Sequence, residues 1–594
     1  MAIPTARRRT VLAALVSGAT ALTSGCLRRV RALNGWASPQ QVQLRIKTLP
    51  ADEDPYAVEL ARRVAEWFRT AGFGVSVVPM AEQELLRQTL LQHEFDLFVM
   101  RLPARFRNPD ALVTLLHSRF ADAAGWQNPF GYANLDVDEL LETQRRATGD
   151  HRQDVLEQLQ RSVARTQPFT LLTVPDDIRA ARTSTYTNWR DVDLESPLGY
   201  LRLERRSGSG GEGESTLRIV VADHRATMNL NPLSVEFRRN AVLTGLLYDP
   251  LGYEIGDEIQ PWLADSWEVI GEAPPVARLD LHERARWHDG ERLTASDVAF
   301  TYELLADTTM GSDDEDIPIP SPRFRGRTDI IDSVEVVDAS TVVIRFDDVS
   351  PSVARRAFSV PILPEHIWTD RSGRASIGGI DLGAVTEALV TNNIPPVGSG
   401  PFRFVRNTPR EELVLERFDD HFLNRETPAD WNVASERRPP FDRVIVRAVG
   451  SDDAAVGVVG SGDGDVTGTA VGSETVPRIG RGDDLELVVE RSDSPYMLGY
   501  NTRRRHLNNP QVRHLLASLI DNEHLVESVH RGYGRPAVGP LWDTPWYPDQ
   551  LEWTTENPVT PFLGTDGTLD EQRVRAAFEN AGYRYEDGVL LGGE

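Results

Sequence analysis

The sequence predicts a mixed α and β chain folded into more than one lobe, on three observations. At about 150 residues per domain, 594 residues hold material for roughly four domains, which excludes one small module. Residues 41 to 175 alternate helical and strand periodicity, as α/β lobes do. From Leu217 onward, short strand-like runs are separated by turn residues. Hydrophobic residues at 40% and aromatics at 8% are enough for real cores, and 38 Pro with 45 Gly spread along the chain mark turns rather than disorder.

Gln41 to Thr48 alternates as a strand, and Ala57 to Ala71 carries apolar residues at helical spacing until Gly72-Phe73-Gly74 stops it. A strand at Val75 to Val78, a helix at Ala81 to Leu91 and a strand at Phe95 to Met100 follow. Asp138 to Ala147 and Arg152 to Thr166 read as two more helices. Arg206 to Ser215 is a polar, flexible linker without an apolar anchor. Its formal G-x-G-x-x-G at Gly208, Gly210 and Gly213 is followed by the strand Leu217 to Val221 rather than a helix, so it does not read as a dinucleotide site. The acid run Gly311 to Asp316 and the Gly/Asp stretch Gly460 to Gly468 lack EF-hand spacing and read as solvated loops. Val342 to Phe346 is a strand, and helices return at Gln511 to Ile520 and Glu571 to Asn580.

With 64 basic against 89 acidic residues the net charge is -25, which repels nucleic-acid phosphates and excludes a nucleic-acid partner. Lys47 is the single lysine, so no P-loop phosphoryl transfer is available. An acidic, lysine-poor surface suits concentrated salt and predicts a halophilic source, although codon bias also turns Lys into Arg. Residues 1–25 read as an export signal: Arg7-Arg8-Arg9, the apolar run Val11 to Leu22, then Thr23-Ser24-Gly25 before the lone Cys26. Arg8-Arg9-Thr10-Val11-Leu12 fits the twin-arginine pattern, and small residues before Cys26 fit a lipidation site. The expected location is extracytoplasmic, lipid-anchored to the outer face of the cell membrane through Cys26, with 26–40 as a stalk.

Pro261-Trp262-Leu263-Ala264-Asp265-Ser266-Trp267, Arg286-Trp287-His288-Asp289-Gly290 and Leu293-Thr294-Ala295-Ser296-Asp297-Val298 resemble the signature of the family-5 solute-binding proteins of ABC importers, the dipeptide- and oligopeptide-binding type. Met228-Asn229-Leu230-Asn231-Pro232, Leu247-Tyr248-Asp249-Pro250-Leu251, Pro396-Val397-Gly398-Ser399-Gly400-Pro401-Phe402, Tyr500-Asn501, Val512-Arg513 and Ile520-Asp521 extend the likeness in the family's order. The W-H-D-G stretch reads as a structural turn leading to a helix capped by Thr294, not as catalysis by His288 or Asp289. The resemblance implies an α/β, two-lobed periplasmic-binding-protein-like fold with an extra β-rich subdomain in the first lobe.

The order of parts departs from the family. Ala581-Gly582-Tyr583 and Asp587-Gly588-Val589-Leu590 close the chain, whereas the segments that follow them in the family resemble Leu44 to Val78 and onward to Gly199-Tyr200-Leu201. The chain therefore reads as circularly permuted, with second-lobe parts at 41–175 and 496–594, a return to the first lobe at 176–205, the linker at 206–215 and the first lobe at 216–495.

The resemblance implies a receptor for a small solute or peptide that binds between two lobes, delivers to a membrane permease and performs no reaction; it would work as a monomer without cofactor or metal. No G-x-S-x-G, H-E-x-x-H or cysteine nucleophile speaks for an enzyme. A surface solute sensor uncoupled from transport is the alternative. By position in the family pattern, Ser234, Val235 and Glu236 face the cleft from the first lobe, and Tyr500 and Asn501 lie near the crossover. Trp126 and Tyr132 are second-lobe aromatics open to either stacking on ligand or packing. Where peptide-binding members carry W-x-x-D-x-x-D-P, this chain has Leu102-Pro103-Ala104-Arg105-Phe106-Arg107-Asn108-Pro109, with Arg105 in place of the acid that holds a peptide amino terminus. Arg105 in the cleft would favour an anionic or hydrogen-bond-accepting ligand; Arg105 turned to solvent or paired with an acid is the other reading.

Overall fold

The computed structural model describes residues 40–206, 215–234, 242–255, 258–311, 318–377, 380–424 and 439–592. Cys26, the export signal, the linker glycines, Val235, Glu236 and the acid run after Gly311 lie outside them.

The chain starts with β1 (Gln43–Thr48), α1 (Pro55–Thr70), β2 (Gly74–Pro79) and β3 (Leu97–Arg101). Asp54 caps α1 by accepting from the Ala57 amide at 3.1 Å, Pro55 stands in its first turn, and the face bearing Ala57, Leu60, Ala61, Val64 and Phe68 is buried. Between β2 and β3 the expected helix forms over Glu82–Leu86 and widens into a π-turn at Arg87–Leu91. Two helices, α2 (Leu135–Arg146) and α3 (Gly149–Thr166), precede β4 (Phe169–Arg182). After β5 (Thr216–Val221), the strands β6 (Ala264–Ile270), β7 (Val276–Leu281), β8 (Ile331–Val336) and β9 (Thr341–Phe346) form a separate antiparallel sheet in the order β6-β7-β9-β8, against which α4 (Ala295–Ala306) packs.

The chain returns through β10 (Phe402–Thr408), β11 (Glu412–Arg417), β12 (Arg443–Ala448), β13 (Val466–Thr467), β14 (Leu485–Arg491) and β15 (Tyr496–Tyr500). It ends with α5 (Pro510–Ala517), α6 (Asn522–His530), β16 (Gly534–Arg535), α7 (Glu571–Asn580) and the hairpin β17 (Arg584–Glu586) and β18 (Val589–Leu591).

A continuous path of pairing, β10-β11-β12-β5-β13-β4-β15-β3-β1-β2, runs through the molecule, with β14 and β16 also on β4. Two cores lie along it. One collects buried apolar side chains from 42–174 and 496–590, among them Ile46, Phe68, Leu156, Met497 and Phe578. The other collects residues within 181–488, among them Trp189, Trp262, Trp287, Phe358 and Val446. The molecule is thus a two-lobed α/β fold whose lobes share β4, the four-stranded sheet being an additional β-rich subdomain. The two described ends meet in the first of these cores, where the Val42 amide donates to the Leu590 carbonyl at 3.1 Å and the Gly592 amide to that of Gln40 at 3.2 Å. Among the described residues no helix is long and apolar enough to cross a membrane.

Candidate functional site

The motif-rich stretch builds one wall by interlocking its own signatures. The Gly290 turn, at φ +94°, folds Arg286 back against Arg292, and Thr294 and Asp297 close a reciprocal capping box at the start of α4. His288 is held by the Pro396 to Phe402 loop: Nδ1 accepts from the Gly398 amide at 3.2 Å and Nε2 donates to the Gly400 carbonyl at 2.9 Å. Burial pushes this imidazole down to about 4, and the bonds fix its neutral tautomer. Gly398 and Gly400 press on the chain opposite, where a Cβ on Gly398 would stand 1.9 Å from the Leu247 carbonyl oxygen. Asp249 in turn accepts from Trp262 Nε1 at 2.7 Å and faces His421 at 3.3 Å. Burial would raise its carboxyl, but His421, Trp262 and Ser399 hold it below the usual range. Asp289 pairs with His366 at 2.8 Å, so both polar residues of W-H-D-G have structural partners.

Between the lobes lies a cavity of about 450 Å³, within the range of small-molecule sites. The second lobe lines it with Leu86, Met100, Arg105 and Trp126, and the first lobe with Tyr248, Tyr253, Phe324, Arg323 and Arg327. Around its rim the lobes are tied by Arg356 to Asp110 at 3.1 Å, Arg119 to Asp329 at 2.8 Å, Arg325 to Gln127 at 3.1 Å, and Arg225 to Glu82. At the floor, Tyr496 donates to Asp54 at 2.9 Å, Arg101 faces Asp177 at 3.5 Å, and Arg179 faces Glu195 at 3.2 Å and Glu490 at 3.5 Å. Burial, then the neighbouring Asp177 charge, raises Glu195 to about 8, while Arg101 and Arg179 hold Asp177 low against its own desolvation.

Of the residues singled out from sequence, the structure brings Arg105 and Trp126 to the cavity. Ser234 is buried just behind it, and its carbonyl accepts from Arg323 at 3.1 Å. Tyr500 and Asn501 are not brought there: β15 is covered on both faces, Tyr500 bonds Thr170 at 2.8 Å, and Asn501 ties the carbonyls of His93 and Phe95. Tyr132 is likewise interior, bonded to Thr166 at 2.8 Å. Sequence reasoning missed Arg323 and Arg327. The triplet Arg-Phe-Arg at 105–107 recurs at 323–325, but the repeat does not reach Arg327 and does not say which arginine lacks an acid.

The family described as bacterial extracellular solute-binding proteins, family 5 (middle), matches residues 258–591. The oligopeptide-binding protein AppA of Bacillus subtilis is 26% identical over 278 residues, covering 46% of this chain and 44% of that protein. The glutathione-binding protein GsiB of Pectobacterium atrosepticum is 21% identical over 367 residues, 61% of each. The chain spans about half the length of the first curated relatives it matches. The structure of Bacillus subtilis AppA in complex with a nonapeptide aligns with a TM-score of 0.46 at 21% identity, covering 64% of this chain and 68% of that one. With more than half of its length matched, the chain belongs to the bacterial extracellular solute-binding proteins of family 5.

Proposed function

We propose that this protein is the extracytoplasmic receptor of an ABC importer, taking up a small solute between its lobes and presenting the closed form to a membrane permease without chemistry on the ligand. The observation that carries the reading is the cavity of about 450 Å³ walled by side chains of both lobes. Such a site binds best when the lobes are together, which couples occupancy to shape. Export through the twin-arginine segment, anchoring at Cys26, a monomeric state and a halophilic setting belong to the same reading. So does the permuted order with lobe boundaries near 175 and 495; the hydrogen bond between Gly592 and Gln40 supports it, because the family's order would need these two segments to be neighbours.

The test is a thermal-shift screen of the processed chain in high salt against peptides, sugars and organic anions, followed by uptake of each hit in cells with and without the protein. A ligand at 100 times its dissociation constant adds about 2.7 kcal/mol. Loss of uptake without the protein supports the importer. Stabilisation with uptake unchanged would make it a surface sensor, and no stabilisation by any solute class would remove the receptor reading itself.

A further inference from the structure

Of the charged groups around the cavity, Asp193 accepts from the Glu195 amide at 2.8 Å, and the others divide into two sets. Asp54, Glu82, Glu195 and Asp493 are engaged by Tyr496, Arg225, Arg179 and Arg107, and Arg101 is engaged by Asp177. Arg105, Arg323 and Arg327 are different: among the described residues none of the three forms an ion pair with a carboxylate. Arg323 donates to the carbonyls of Pro232 and Ser234, at 3.0 and 3.1 Å, and Arg327 to that of Ser359 at 3.0 Å. Arg105 lies over the ring of Phe106, 4.7 Å from its centroid. The acid nearest in influence to Arg327 is Glu254, which already pairs with Arg356 at 2.7 Å. All three residues are half-buried and line the cavity.

Their origin matters as much as their number. Arg105 stands on the short turn Ala104–Arg107 of the second lobe, whereas Arg323 precedes the helical turn Arg325–Thr328 of the first and Arg327 lies within it. Closing the lobes on water alone brings like charges together as they lose hydration. Burial, and then the charges of Arg323 and Arg327, depress the Arg105 guanidinium to about 9; Arg323 is depressed to about 10. A guanidinium offers a planar fork that fits carboxylate or phosphate oxygens, so an anion in the cavity would supply the missing counter-charge to both lobes at once.

We propose that the ligand is a small organic polyanion, carrying two or three carboxylates or a phosphate ester, whose charge Arg105, Arg323 and Arg327 share and whose presence permits the lobes to close. This rests on the receptor reading above and deepens it, naming the class of solute and the force that opposes closure without it.

The test uses the purified chain with citrate as a polycarboxylate, glycerol 3-phosphate as a phosphate ester, and glycerol, dialanine and dilysine as neutral, zwitterionic and cationic controls. Binding is followed by calorimetric titration and closure by the radius of gyration in solution scattering. Citrate or glycerol 3-phosphate should bind and contract the protein, and whichever is stronger says whether carboxylate or phosphate is preferred. Arg105→Gln and Arg327→Gln should each weaken that binding at least tenfold, and the double variant should contract more readily without ligand. Arg105→Lys, which keeps the charge but not the fork, should lose less than Arg105→Gln, and the unliganded melting curves show that each variant is folded. Contraction by a control solute, unchanged in both Gln variants, would overturn the polyanion while leaving the receptor intact. Anion binding indifferent to both variants, or no effect of either anion on wild type, would overturn it as well.

Discussion

Replacing His288 by glutamine should flatten the acid sensitivity of the first lobe. The imidazole is neutral in the fold because burial lowers it from 6.5 to about 4, and in that form Nδ1 accepts from the Gly398 amide. In the unfolded chain it takes up its proton at the ordinary value. Between pH 6.5 and 4 the unfolded state therefore binds more protons, so stability is fully present above pH 6.5 and falls as acid is added. At about 1.36 kcal/mol per unit, the drop from pH 7.5 to 5.0 is about 2 kcal/mol at most from this residue alone. Urea titrations of wild type and His288→Gln at both pH values measure it. The variant should be weaker at pH 7.5, having lost one of two bonds to the glycine loop, yet its further loss at pH 5.0 should be smaller by roughly that about 2 kcal/mol. His530, also lowered to about 4, titrates equally in both proteins and cancels. Equal losses on acidification would show that His288 is not held neutral, and the interlock of the two motifs would have to be abandoned.

Gly398→Ala should destabilise by more than ~2 kcal/mol in thermal melts, since its Cβ meets backbone rather than a yielding side chain. Asp110 sits at the lobe boundary between Arg152 at 3.2 Å and Arg356 at 3.1 Å, so Asp110→Asn should cost ~3 to 5 kcal/mol of closed-state stability and enlarge the radius of gyration in scattering. The raised Glu195 carboxyl keeps its proton longer in the fold than in the unfolded chain; stability should therefore fall as pH rises from the ordinary carboxylate range to about 8, a slope that Glu195→Gln should remove in denaturation at pH 6 and 8.5. A chain opened in the 206–215 linker and joined from its present C-terminus to Gln40 should fold and melt near the wild-type temperature, because Gln40 and Gly592 are already hydrogen-bonded.

Local structure was readable wherever one face of an element is buried and the other wet. The spacing in Ala57 to Ala71 and Glu571 to Asn580 found α1 and α7 to within a residue or two, and Thr294 announced its cap. Faces were unreadable where both sides are covered. Every residue of β15 is buried, so nothing in Tyr500-Asn501 says whether it looks to the cleft or the interior. In the site, Arg105 stood out because an acid was expected there, whereas Arg323 and Arg327 were hidden among 64 basic residues. An arginine's role depends on whether tertiary structure gives it an acid, and that pairing leaves no local trace.

The shared strand limits how the protein can move. The chain passes between the lobes twice, at Val174-Pro175 in β4 and at Ser492 to Pro495 beside it, and both passages are proline-marked. Below the passage β4 is laddered to β15 through Phe169 to Thr173, and above it to β14 through Asp176 to Arg182. Two antiparallel ribbons clamped at both ends behave like a leaf spring: sliding one lobe past the other would break ladder bonds on both sides, but flexing across Val174-Pro175, which β14 and β15 leave unpaired and the two-residue β16 alone pairs, breaks few. Asp493 and Ser494 belong to the passage beside it and also line the cavity. A solute touching them would press on the spring itself, so its size, and not only its charge, sets the angle at which the lobes come to rest.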